Sequence, residues 1–229
     1  MNFCTLFETF FKLNMIKIFK PGLFISLEGI EGAGKSTVLA TIQKVLQFKQ
    51  IDHLTTREPG GTPIAEQIRK VFLTPNEEPL DPTTETLLVF AGRNQHVKQV
   101  ILPALNQGKW VISDRFTDAT YAYQGVGRGV NKQTIAAVEQ IVLENFKPDY
   151  VILLDLPVDI ALQRIAKRKS LDRIEQENLK FFSRIRQAYL ERAHQDLSRY
   201  SIIDASQPLI SVNQSIAGLI EKWIDEWQT

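Results

Sequence analysis

Cysteine is nearly absent. Cys4 stands alone in 229 residues, so no disulfide can form within the chain. Histidine is scarce too, at three residues, and no Cys/His cluster has the spacing of zinc ligands. Both features fit a reducing compartment, and the cytoplasm is the expected location. No apolar run is long enough to span a bilayer, so no membrane partner is expected. An excess of either charge is also missing: 27 Lys and Arg against 26 Asp and Glu leave a net charge of +1. That balance gives no electrostatic footprint for nucleic acid, which is not expected as a partner. Local clusters of Arg can still hold a small phosphorylated ligand.

Internal repeats, low-complexity tracts and linkers are lacking as well. The length suits one compact α/β domain, or at most two small ones. Met1 to Asn14 carry four phenylalanines and one acid, Glu8. They show neither the basic start nor the long apolar block and small-residue cleavage site of a signal peptide. Residues 1–20 are expected to be an N-terminal extension, either an unordered tail or the product of an upstream start codon with Met15 as the first residue. A partner-binding or membrane-touching tail is the alternative. Residues 21–229 are expected to form the folded domain.

Strand and helix signals alternate along that domain. Buried strands are predicted at Leu23–Glu28, His53–Thr56, Trp110–Ser113, Tyr150–Leu154 and Tyr200–Ile203. Helices are predicted at Lys35–Lys49, Ile64–Leu73, Thr83–Gln107 with a kink near Pro103, Lys132–Asn145, Val158–Lys167, Asp172–Ser198 and Val212–Trp227. This order predicts a three-layer α/β fold, a five-stranded parallel sheet with helices on both faces. Ligands then bind beyond the carboxyl ends of the strands.

Gly29-Ile30-Glu31-Gly32-Ala33-Gly34-Lys35-Ser36 matches G-x-x-x-x-G-K-[ST], with a strand before it and a helix, continuing at Thr37, behind it. Glycines let backbone N–H groups turn inward around phosphate oxygens. The helix adds its positive N-terminal end. Lys35 supplies a mobile charge to the β/γ-phosphates, and the Ser36 hydroxyl suits Mg²⁺. This is the expected ATP-binding loop of a phosphate-loop NTPase fold.

Three further patches accompany the loop. Thr56-Arg-Glu-Pro-Gly-Gly-Thr62 puts Arg57 beyond a strand end, with Arg69 on the next helix. Phe90-Ala-Gly-Arg93 offers an aromatic and a cation on one helix face. Ser113-Asp-Arg-Phe-Thr-Asp-Ala-Thr-Tyr-Ala-Tyr-Gln124 brings Asp114 and Arg115 to the end of the third strand. An acid there suits water-mediated Mg²⁺ binding, and the guanidinium fork of Arg115 suits a phosphate. Alone, each patch has a plainer reading: a solvated turn at Arg57, core packing at Phe90, a structural ion pair at Asp114–Arg115.

Together, from about Leu23 onward, these patches resemble the bacterial thymidylate kinases. The resemblance implies transfer of the ATP γ-phosphate to dTMP with Mg²⁺, a step toward dTTP, by a homodimer. It implies that Arg57 and Arg69 hold the acceptor nucleotide, that Arg93 bonds the base, and that Thr120 and Gln124 face it. Phe90 is the expected thymine-stacking aromatic, although many members place that residue four before the Arg, where this chain has Val89. The Tyr123 ring is expected to fill the space of a ribose 2′-hydroxyl, and Glu31 to reach the 3′-hydroxyl region. Residues 164–175 correspond to a lid over ATP. With Gly32 in the phosphate loop, the chain resembles the subtype whose lid carries the catalytic cations. Arg168 is the first candidate, with Arg164 and Lys167 behind it, although a position that is Arg in some relatives is Ala166 here. Asp172 and Arg173 are expected at the lid hinge, and Ala205 and Gln207 beside adenine. The expected catalytic set is therefore Lys35, Arg115, Arg168 and Arg164. The rival readings are a kinase for another nucleotide or deoxynucleoside, and a non-catalytic nucleotide switch.

Overall fold

A computed structural model describes residues 20–75, 77–167 and 172–229. Its sheet has five parallel strands: β1 (Phe24–Glu28), β2 (His53–Arg57), β3 (Trp110–Asp114), β4 (Tyr150–Asp155) and β5 (Tyr200–Asp204), in the spatial order β2-β3-β1-β4-β5. Parallel neighbours need crossovers, and helices supply them. These are α1 (Lys35–Phe48), α2 (Pro63–Leu73), α3 (Pro82–His96), α4 (Leu102–Asn106), α5 (Thr117–Thr120), α6 (Lys132–Leu143), α7 (Val158–Ile165), α8 (Leu179–Gln195) and α9 (Leu209–Gln228).

Successive side chains of a strand point to opposite faces. Phe24 and Val111 accordingly join Val97, Ile101 and Leu143 in one apolar cluster. Ile25, Leu27 and Ile112 join Val38 and Ile42 of α1 and Ile216 and Ile220 of α9 in another. The sheet is thus covered on both faces, which is why all five residues of β1 are buried, Ser26 and Glu28 included.

Three stretches depart from the sequence reading. The helix expected over Thr83–Gln107 is interrupted by a wide π-type turn at Val97–Ile101, ahead of Pro103. Proline has no N–H to give and its ring collides with the carbonyl four residues back, so the turn widens. The helix expected from Asp172 begins instead at Leu179, where the Asn178 side chain accepts from Phe181 N at 3.0 Å. Before it, Asp172 Oδ1 accepts from the N–H groups of Ile174 and Glu175 at 2.9 Å each, which holds a turn. Conversely, Thr117 to Gly127 is helical, first α5 and then a second π-type turn at Tyr121–Gly127, although its β-branched, aromatic and glycine residues give no helical signal.

Candidate functional site

The ends of β1, β2 and β3 lie level, with Leu27 and Arg57 both in register with Asp114. A cavity of about 410 Å³ opens beyond them. Its first wall is the loop between β1 and α1. Gly32 has φ +77°, and a Cβ there would stand 2.8 Å from the Ala161 carbonyl oxygen of α7. Both backbone sign and packing therefore demand glycine. Gly34 precedes α1 with φ 95° and no side chain caps the helix, so its first amides are left for an anion. Lys35 Nζ donates to the carbonyls of Gly29 and Ile30 at 3.1 and 3.3 Å. Burial, and then the nearby Arg115, pull its pKa from 10.5 down to about 8. A phosphate would offset both.

Arg115 sits at the centre. Its φ is +73°, a left-handed conformation that costs a non-glycine residue on the order of 1 kcal/mol. The surrounding bonds enforce it. Its N–H donates to Leu27 O at 3.0 Å, and its guanidinium donates to Gly29 O (2.9 Å), Tyr189 Oη (2.9 Å) and Glu31 Oε1 (2.7 Å). Tyr189 in turn donates to Glu28 at 3.0 Å. Burial, and then Asp118, raise the Glu28 carboxyl to about 7. Tyr123 donates to Glu31 Oε2 at 2.5 Å, and the Arg115 guanidinium lies 4.8 Å over its ring. Burial acts to raise the Glu31 carboxyl, but Arg115, Lys35 and the Tyr123 hydroxyl together hold it below its ordinary value.

Asp114 Oδ1 is buried without a hydrogen-bond partner among the described residues. Such an orphan calls for an explanation. Ser36 lines the same cavity. A carboxylate and a hydroxyl suit a hard cation that completes its shell with phosphate oxygens and water. No group of three or more His, Cys, Asp or Glu among the described residues forms a self-contained metal cage. The donor set therefore fits Mg²⁺ shared with a ligand and fits zinc poorly.

The far end of the cavity is built on the turn after β2. Thr62 caps α2 by accepting from Ala65 N at 3.1 Å. Arg69 reaches back from α2 to Pro59 O at 2.7 Å, and the exposed Arg57 pairs with Glu66 at 3.0 Å. Arg57, Arg69 and Arg115 all line the cavity. Arg93 is 2% exposed, yet its head group borders the same space. It is fixed by Glu58 Oε2 (2.6 Å), Thr120 Oγ1 (3.0 Å) and Phe116 O (3.0 Å). His96 Nδ1 lies 2.9 Å from the other Glu58 oxygen. Thr120, Tyr123 and Gln124 also line the cavity.

Phe90 does not. The structure turns it away from the cavity into a small cluster with Tyr121 and Ile135, where its ring backs the Arg93 guanidinium at 4.8 Å. The expectation that Phe90 stacks on a base is corrected accordingly. One helical turn before Arg93 is Val89, four residues back, and it is Val89 that meets the cavity. The aromatic residues lining the cavity are Phe72, Phe116 and Tyr123.

At the opposite mouth, Arg164 donates to Gly32 O at 3.0 Å and to Ala205 O at 3.5 Å, tying α7 to the loops after β1 and β5. Ala205 is buried, and Gln207 donates to Asp204 at 2.7 Å. Arg168, the first lid candidate, lies outside the described residues. Two groups without any sequence signal of function emerge. Glu58, inside the Arg-Glu-Pro-Gly-Gly turn, was visible as a motif letter but not as the anchor of Arg93. Glu85 reads as a solvated helix acid, yet it is wholly buried beneath the cavity. Only a register of α3 against its neighbours reveals that.

A family model described as thymidylate kinase matches residues 27–216. The thymidylate kinase of Alcanivorax borkumensis is 52% identical over 201 residues, covering 88% of this chain and 97% of that protein. That of Pseudomonas entomophila is 53% identical over 199 residues, covering 87% and 95%. That of Teredinibacter turnerae is 48% identical over 203 residues, covering 89% and 99%. With a phosphate loop at one end of the cavity, an Arg-lined pocket at the other and this likeness along most of its length, the chain belongs to the thymidylate kinase family.

Proposed function

We propose that this protein transfers the γ-phosphate of ATP to dTMP, giving dTDP and ADP. The observation that carries this reading is one continuous cavity. It is lined at one end by Gly32, Gly34, Lys35 and Ser36 and at the other by Arg93, Thr120 and Gln124, with Arg115 between them. Two polyanions brought end to end repel each other. Lys35 and the α1 N-terminus offset the donor charge, and Arg57, Arg69 and Arg115 offset the acceptor charge. The dTMP phosphate needs no strong general base, because it is already largely ionised near neutrality. Catalysis then rests on positioning and charge stabilisation. Arg164 ties the phosphate loop to the loop at Ala205, on the ATP side; it and Arg168 are the proposed lid cations.

Ser36 and Asp114 are the proposed holders of Mg²⁺, which would neutralise phosphate charge when bound. Glu31 and Tyr123 are proposed to border the sugar, the ring excluding a 2′-hydroxyl. A homodimer in the cytoplasm is also proposed. Ile64 and Val71 on α2 and Leu87 on α3 are exposed apolar residues that such an association could cover. No described helix is long and apolar enough to cross a membrane. Residues 21–229 are proposed as the catalytic unit, with the lid at about 164–175 and residues 1–20 outside it.

A coupled ADP-release assay across a panel of nucleoside monophosphates tests the function. Turnover with dTMP at least about tenfold better in kcat/KM than with any ribonucleotide is expected. Nucleotide binding without acceptor-dependent turnover would favour a switch, and turnover on unphosphorylated thymidine would favour a nucleoside kinase.

A further inference from the structure

Gln124 is 2% exposed and lines the acceptor end of the cavity. An amide side chain can present either a carbonyl acceptor or an NH₂ donor, and only its other contacts decide which. Here Gln124 Nε2 donates to Glu85 Oε1 at 2.7 Å, from beneath the cavity. Glu85 is fully buried and faces two guanidiniums. Arg173 Nη2 meets its Oε2 at 2.5 Å, and Arg128 Nε stands 3.7 Å from its Oε1. A carboxylate paired with cations accepts hydrogen bonds and donates none. The amide is therefore locked with its NH₂ toward Glu85. Among the described residues no donor reaches Gln124 Oε1, which is left to face the ligand.

We infer that Glu85 is a positioning residue for base identity: by fixing the Gln124 amide it presents a carbonyl to the base and selects a pyrimidine whose N3 carries a proton. Thymine and uracil have an N3–H donor. Cytosine has a bare N3 lone pair, which would confront the carbonyl with a second acceptor and leave both unpaired in a buried site. The selection rests on the proposed acceptor being a pyrimidine nucleotide. It acts through orientation, since Glu85 itself does not reach the cavity.

Glu85→Gln tests it. The substituted amide can offer its own NH₂ to Gln124, which is then free to turn over and show a donor to the base. The ratio of kcat/KM for dTMP over dCMP is expected to fall at least about tenfold. The fall stays partial, because Arg93 presents only donors and continues to disfavour the cytosine amino group. The dTMP over dUMP ratio is expected to hold, since both bases carry N3–H. A merely structural role would lower the rates for all three nucleotides in proportion, and that result overturns the inference. Should Glu85→Gln fail to melt cooperatively, Gln124→Met reads the same ratio directly. The same fall is expected there, and an unchanged ratio overturns the inference. A wild-type protein that phosphorylates no pyrimidine nucleotide sinks the proposed function instead, before either variant is assayed.

Discussion

Tyr123→Ala is expected to trade stability for a wider choice of sugar. The ring is 5% exposed and sits edge-on to Phe181 and Tyr189 at 6.2 and 6.3 Å, under the Arg115 guanidinium. Removing a buried aromatic side chain costs about 3–5 kcal/mol. The lower end applies here, because the hole opens onto a polar cavity and refills with water. From a total stability of about 5–15 kcal/mol the protein stays folded. Its thermal midpoint should drop by roughly 6–12 °C, at about 2–4 °C per kcal/mol for a chain of this size. Specificity should move separately. A ring packed against the sugar rejects a 2′-hydroxyl by overlap, so its loss should admit the ribonucleotide. The ratio of kcat/KM for dTMP over 5-methyl-UMP should fall at least about tenfold, roughly 1.4 kcal/mol. The dTMP over dUMP ratio, set by one methyl group worth about 0.8 kcal/mol, should barely change. Tyr123→Phe keeps the ring and loses the hydroxyl with its bond to Glu31, so its sugar preference should stay within about threefold of wild type. The assay is coupled ADP release on the three nucleotides with each variant. A sugar preference that survives Tyr123→Ala would refute the steric argument and move the reading of the sugar to Glu31; one that collapses already in Tyr123→Phe would refute it as well, by placing the discrimination on the hydroxyl bonded to Glu31.

Two further outcomes follow from the donor end. In the free protein Lys35 titrates at about 8, and a bound triphosphate favours its ammonium form and raises that value. Below about pH 8 the charge is already present. Above it, binding must draw in a proton, so ATP affinity should weaken as pH rises, by up to about tenfold per unit. Titration calorimetry at pH 8 in buffers of different ionisation heat should show uptake of about half a proton per ATP, and no uptake at pH 8 and 9 would mean that Lys35 is charged before binding. Asp114→Asn should raise the Mg²⁺ concentration for half-maximal rate by about tenfold while the thermal midpoint stays within a few degrees. An unchanged Mg²⁺ requirement would leave the orphaned carboxylate oxygen unexplained.

The central strands were legible because burial on both faces favours apolar runs, as in Val151–Leu154 of β4. The phosphate loop was legible because glycine is the residue that its backbone geometry requires. What escaped was anything set by the packing of one helix against another. Phe90 and Val89 are adjacent letters, and nothing local says which of them faces the cavity; the contact of Phe90 with Tyr121 and Ile135 decides it. The helical course of Thr117 to Gly127 was hidden for the same reason, since α8 supports it through Arg192, which bonds Asp118 at 2.7 Å. Glu85 gave no sign of its burial, because the cations that neutralise it are 43 and 88 residues away in sequence.

Gly32 bears on how such enzymes diversify. A side chain at this position would have to adopt a left-handed backbone and push into the Ala161 carbonyl, which is main chain and cannot rotate aside. Placing a cation at this loop position is therefore not a matter of one substitution in this chain. α7, which carries Ala161, would have to retreat first. The identity of this loop position is thus set from outside the loop, by the main chain of α7.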